Sequence, residues 1–184
     1  MKRLFCTFLA LVMALSCVLI LGSCNSGEDE KKETDPPKPA TAPEGYTTYD
    51  NGDISFAYPS DWTKNEGSTT MLVNKSGKGN NITVVYEEKN EIYGEASDSE
   101  LEKLMKDSIS VTGMSISNFK RTKTKNDYSD IIKLTYTLSA SGASMKQTQM
   151  IATVGDRTYV VTVTETTADQ TFVDNVFNTF VVLK

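Results

Sequence analysis

In the run from Ser129 to Ser139, Ile132, Leu134, Tyr136 and Leu138 alternate with Lys133, Thr135 and Thr137. A period of two puts the first set on one face of a strand and the second set on the other, a pattern no helix shares. Comparable runs occupy about Met114 to Lys123, Met145 to Val154 and Arg157 to Thr164, with Ser141-Gly142 and Gly155-Asp156 at the junctions. Short glycine-containing pairs between such runs are hairpin turns, so a meander of antiparallel strands is expected. Further upstream, Ile54-Ser55-Phe56-Ala57-Tyr58 alternates and is stopped by Pro59, which has no N–H to give to a ladder. Thr70 to Lys75 and Ile82 to Glu88 are β-branched and aliphatic runs on either side of a loop holding Gly77 and Gly79.

Between these strands the period changes. Leu101, Leu104, Met105 and Ile109 fall on one face of a helix, with Ser97 and Glu100 at capping-box spacing and Gly113 as a stop. A second helix is expected from about Ala168 to Phe180, where Phe172, Val173, Val176, Phe177 and Phe180 form a stripe. Burying each of these side chains contributes roughly 1.5–3 kcal/mol, enough to hold the helix on the sheet. The class is therefore α+β, an antiparallel sheet with packed helices. No internal repeat at a solenoid or propeller period is present.

The N-terminus has a different character. Lys2 and Arg3 precede an apolar run from Leu4 to Leu21, the pattern of an export signal. Leu21-Gly22-Ser23-Cys24 follows at once and resembles the lipobox of bacterial lipoprotein signal peptides, in which the Cys is acylated and becomes the new N-terminus. The resemblance implies residues 1–23 as a lipoprotein signal peptide and a lipid on Cys24. Each buried methylene of that lipid would hold the chain to the bilayer by about 0.8 kcal/mol. An uncleaved span is the other reading of an 18-residue apolar stretch. Both readings put the remainder outside the cytoplasmic membrane, lipid-anchored on its outer face in the first case.

From Asn25 to Glu44 there is no aromatic or large aliphatic residue, and Pro36, Pro37, Pro39 and Pro43 fall here with the charge run Glu28-Asp29-Glu30-Lys31-Lys32-Glu33. Such a segment cannot bury enough apolar surface to offset its ordering entropy. With Cys24 it is expected to form a disordered tether, residues 24–44, reaching about 60 Å if fully extended in polyproline form. Residues 45–184 are left as one domain.

Composition removes several function classes. The chain has no histidine, and its three cysteines, Cys6, Cys17 and Cys24, all lie within the first 24 residues. Ser/His/Asp and Cys/His triads, imidazole-ligated metals and, in the domain, disulfides and thiol chemistry are thereby excluded. Without residues 1–23 the chain carries 17 basic and 24 acidic groups. Such an acidic surface repels a phosphate backbone, so no nucleic-acid partner is expected.

The run Ile54-Ser55-Phe56-Ala57-Tyr58-Pro59-Ser60-Asp61-Trp62 resembles the opening of PsbP-like domains: an aromatic strand, then Tyr-Pro, a short turn and Trp. Phe172 to Phe180 is similar to the family's final helix, and the order of elements agrees across residues 45–184. The resemblance implies a PsbP-like α/β/α sandwich. The family includes the extrinsic PsbP protein of photosystem II, a Ran-binding nuclear-transport factor of similar fold and many bacterial lipoproteins. Its characterised members bind other proteins and are not enzymes. The implied role is a membrane-anchored, non-catalytic module that binds a protein or a component of the cell envelope. A small-ligand or cation-binding accessory lipoprotein is the alternative.

Several residue groups are candidate sites. Lys120, Arg121, Lys123 and Lys125 with Lys133 form the one basic concentration in an acidic domain. Alternation places Arg121, Lys123 and Lys125 on one face, as a docking patch for a protein partner or for an anionic surface such as wall polymer or phospholipid headgroups, or as charges that keep an edge strand from aggregating. Ser117-x-x-Lys120 has the spacing of a serine nucleophile with a lysine base, but in a strand residues three apart point to opposite sides. The acids Glu87, Glu88, Glu91, Glu95, Asp98, Glu100 and Glu102 lack calcium-loop spacing and read as a solvated helix entrance. Asp50-Asn51-Gly52-Asp53 reads as a turn and Trp62 as a core residue. No catalytic residue, metal ligand or cofactor is expected.

Overall fold

The computed structural model describes residues 37–67, 69–74, 79–125, 129–165 and 170–184. The expected signal peptide, Cys24 and most of the expected tether lie outside the described residues. Among the described residues ten strands and three helices follow from Tyr46 onward: β1 Tyr46–Asp50, β2 Ile54–Pro59, β3 Thr63–Asn65, β4 Thr70–Val73, β5 Asn81–Glu88, α1 Ile92–Glu95, α2 Asp98–Ser110, β6 Ser115–Lys125, β7 Asp130–Ala140, β8 Ala143–Val154, β9 Arg157–Glu165, α3 Gln170–Asn178 and β10 Val181–Val182.

The expected meander is present. A seven-stranded antiparallel sheet runs β3-β4-β5-β9-β8-β7-β6, so the two chain halves join where β5 pairs β9. Ala140 lies opposite Ala143, which leaves Ser141-Gly142 as a two-residue turn with φ of 48° and 82°. Two consecutive left-handed residues match the twist of the strands they join, and glycine takes the second position without strain. A smaller antiparallel sheet, β1-β2-β10, brings the beginning and end of the domain together.

The large sheet is covered on both sides. On one side, Phe172, Val173 and Val176 of α3 pack with Ile54 and Phe56 of β2 onto Ile82, Met150, Val161 and Val163. Here β2 departs from its expected alternation, because Ile54, Ser55, Phe56 and Ala57 are all buried. The strand has neighbours on both edges and is covered on both faces. On the other side α2 places Leu101 on Leu134, Ile151 and Val160, and Ile109 on Tyr136 and Leu138. The capping box is formed as expected: Ser97 Oγ accepts from Glu100 N at 3.3 Å, while Ser97 N donates to the Glu100 carboxylate at 2.9 Å. The layers are thus α2, the seven-stranded sheet, and α3 with the small sheet. Ala168, the expected first residue of α3, lies outside the described residues.

Candidate functional site

β6 and β7 carry the basic residues, and their register decides what those residues face. Ser117 lies opposite Thr137, but the next pair is Lys120 with Thr135, so β6 has one extra residue across from Tyr136. Asn118 absorbs that bulge with a φ of 54°, a left-handed conformation asparagine tolerates better than most side chains, and its Nδ2 donates to Thr137 Oγ1 at 3.2 Å. The bulge reverses the phase of everything after it. Phe119 turns toward α2, while Ser117 and Lys120 come to the same side of the sheet, contrary to the expectation from plain alternation. Both are exposed.

The five basic residues divide between the two sides. Arg121, opposite Leu134, and Lys123, opposite Ile132, lie on the α2 side with Lys125; Lys120 and Lys133 lie on the α3 side. Arg121 is turned inward, its side chain only 11% exposed. Its Nη1 donates to the carbonyls of Tyr93 at 3.1 Å and Ala96 at 2.6 Å, and its Nη2 pairs with Asp98 at 2.6 Å. This guanidinium pins the α1–α2 connection to the sheet. Lys123 and Lys125 remain exposed, and Lys125 lies 3.9 Å from Asp130. On the opposite side a groove of about 300 Å³ is lined by Lys120, Thr122, Thr124, Lys133, Thr135 and Phe177.

The acidic run resolves into local partnerships. Glu87 accepts from Asn90 at 3.1 Å, Glu91 pairs with Lys89 at 2.5 Å, Glu100 closes the cap and Glu102 pairs with Lys106 at 2.8 Å. Burial raises the Glu87 pKa, partly offset by hydrogen bonds from Asn90 and Tyr93. Burial likewise pushes the Tyr93 phenol up, with the Glu87 charge adding to it. Among the described residues no group of three or more Asp, Glu, His or Cys is placed to hold a metal ion.

The turn at Asp50-Asn51-Gly52-Asp53 is held by its own side chains: Asn51 Oδ1 accepts from Asp53 N at 3.1 Å and Ile54 N at 2.9 Å. Sequence reasoning missed what Asp53 then does. Its carboxylate accepts from Lys184 Nζ at 2.6 Å and from the Tyr159 hydroxyl, with Arg157 at 3.7 Å. These partners, the Lys184 and Tyr159 hydrogen bonds foremost, hold the Asp53 pKa below its ordinary value. Trp62 is 8% exposed with its ring 5.0 Å from that of Phe172, as the core reading expects.

No family model and no curated protein sequence matches the chain. Among solved structures, the solution structure of cyanobacterial PsbP (CyanoP) from Synechocystis matches with a TM-score of 0.60 at 12% identity, over 88% of this chain and 98% of that one. The fold is PsbP-like. That likeness concerns the backbone alone, and the site residues of this PsbP-like domain rest on their own geometry. A crystal structure from Bacteroides thetaiotaomicron gives a TM-score of 0.48 at 16% identity, covering 76% of this chain and 49% of that one. The crystal structure of LpqN, involved in cell envelope biogenesis of Mycobacterium tuberculosis, gives 0.40 at 13% identity, covering 76% and 91%. Among the described residues no helix is long and apolar enough to cross a membrane.

Proposed function

We propose that the chain is an extracytoplasmic lipoprotein, anchored to the cell membrane through acyl chains on Cys24, whose PsbP-like domain is a non-catalytic module for binding a protein or envelope component. The observation that carries the reading is the order at the N-terminus: a basic start, an 18-residue apolar run, Leu21-Gly22-Ser23-Cys24 and then a proline-rich, charged stretch. Such a stretch spaces a folded domain from the headgroups. The binding surface is the exposed end of β6, with Lys123 and Lys125 as the contacting cations and Arg121 fixing the strand beneath them. Charge at this position steers an acidic partner and acts on association rate more than on stability.

Cross-linking capture from intact cells tests this reading. The wild-type chain is expected to capture a specific envelope component that K123E/K125E loses at equal abundance. Identical capture by wild type and K123E/K125E would remove β6 as the docking surface.

A further inference from the structure

Thirteen lysines and arginines fall among the described residues, and nine of them have a carboxylate oxygen within 3.9 Å. The four without one among the described residues are Lys38, Lys120, Lys123 and Lys133. Two of these, Lys120 and Lys133, line the same groove on the α3 side of β6 and β7. Because Lys120 pairs Thr135 and Thr122 pairs Lys133, the two lysines are diagonal neighbours on adjacent strands. Like charges so placed repel one another. Among the described residues no carboxylate lines the groove, in a domain with more acids than bases. What the groove offers instead is the hydroxyls of Thr122, Thr124 and Thr135 and the ring of Phe177, whose centroid lies 4.6 Å from Lys133 Nζ.

We propose that this groove binds a small phosphate ester, its phosphate bridging Lys120 and Lys133 and its carbon skeleton lying against Phe177. Two ammonium groups match the two charges of a phosphate monoester, and the threonine hydroxyls supply further hydrogen bonds to its oxygens. The ring that shields one side of Lys133 gives the carbon skeleton an apolar floor. At about 300 Å³ the groove is at the small end of ligand sites and suits a polyol phosphate. The phosphate monoester has two sources, a soluble polyol phosphate or the headgroup of phosphatidic acid, and the experiment separates them. The groove is independent of the docking surface, since Lys123 and Lys125 lie on the opposite side of the sheet.

The test is calorimetric titration of the full chain with glycerol 3-phosphate at low salt. A parallel arm measures binding of residues 25–184, which carry neither the apolar run nor Cys24, to vesicles of phosphatidylcholine with and without phosphatidic acid. Saturable binding of glycerol 3-phosphate that K120Q and K133Q each weaken about tenfold or more, and that K103Q on α2 leaves unchanged, supports the site with a soluble ligand. Binding to the phosphatidic acid vesicles alone, with the same dependence on Lys120 and Lys133, supports it with the headgroup as the source. No binding in either arm, or binding that K103Q weakens as much as K120Q and K133Q do, overturns it.

Discussion

The two sides of the seven-stranded sheet are held by different physics. On the α3 side the helix stripe and β2 form one continuous apolar core running from Trp62 and Phe172 to Met150 and Val163. On the α2 side the apolar contacts divide into two smaller clusters, around Leu101 and around Ile109. Polar contacts fill the difference: the Arg121 clamp, and a buried chain in which Tyr136 donates to Gln147 at 2.6 Å and Gln147 to Thr164 at 3.2 Å. Apolar burial is summed over area and tolerates small shifts, whereas a buried polar contact fails as a unit when one partner goes. The α3 side should therefore resist perturbation up to the loss of a large side chain, and the α2 side should depend on a few named atoms.

The largest effect is expected from emptying the apolar side. Phe172→Ala removes the ring packed on Trp62 and should cost about 3–5 kcal/mol in urea unfolding, with the tryptophan fluorescence changing in parallel. Next comes the polar side. Arg121→Ala strands the carbonyls of Tyr93 and Ala96 and should cost about 2–3 kcal/mol, while Lys123→Ala, two residues along the same face, stays within about 0.5 kcal/mol. Equal losses at the two positions would erase the distinction between clamp and exposed charge.

The bulge sets which side each basic residue joins, and it can be probed without touching either side's packing. Asn118→Val places a β-branched residue at a φ of 54° and should cost about 1–2 kcal/mol, whereas Asn118→Gly should be tolerated. If valine is as stable as glycine, the bulge does not fix the phase of β6.

The smallest expected effect is a pH dependence at the α3 side's edge, where Asp53 joins the first hairpin to β9 and the last residue. Its folded pKa lies below its ordinary value of 3.8, so the stability it adds is complete above that value and is lost as the pH falls through the folded pKa. Asp53→Asn should flatten this acid limb of the stability profile and leave the profile near neutral pH parallel to wild type. An unchanged acid limb would mean that Asp53 is not a coupled group.

Legibility in the sequence follows the same division. The meander, the capping box at Ser97 and the stripe of α3 are local patterns of period, turn and cap, and each appears where those patterns put it. β1 and β10 escaped notice because Tyr46–Asp50 is polar and Val181–Val182 is two residues long; both are strands only because β2 provides an edge. The basic concentration on β6 and the shared face of Arg121, Lys123 and Lys125 were legible, but which side of the sheet that face joins was not. That side depends on one extra residue at Asn118, and the burial of Arg121 depends on carbonyls 25 and 28 residues away. The groove of Lys120 and Lys133 was hidden because it needs the register between β6 and β7 and the docking of Phe177 from α3, neither of which is a local pattern.

Intact-mass analysis of the chain extracted from membranes is the decisive measurement for the proposed lipid on Cys24. The expected result is a mature protein that begins at Cys24, heavier than residues 24–184 by the mass of its acyl groups, and a C24S chain without that added mass. A mass matching residues 1–184, or an unmodified Cys24 thiol, would contradict it.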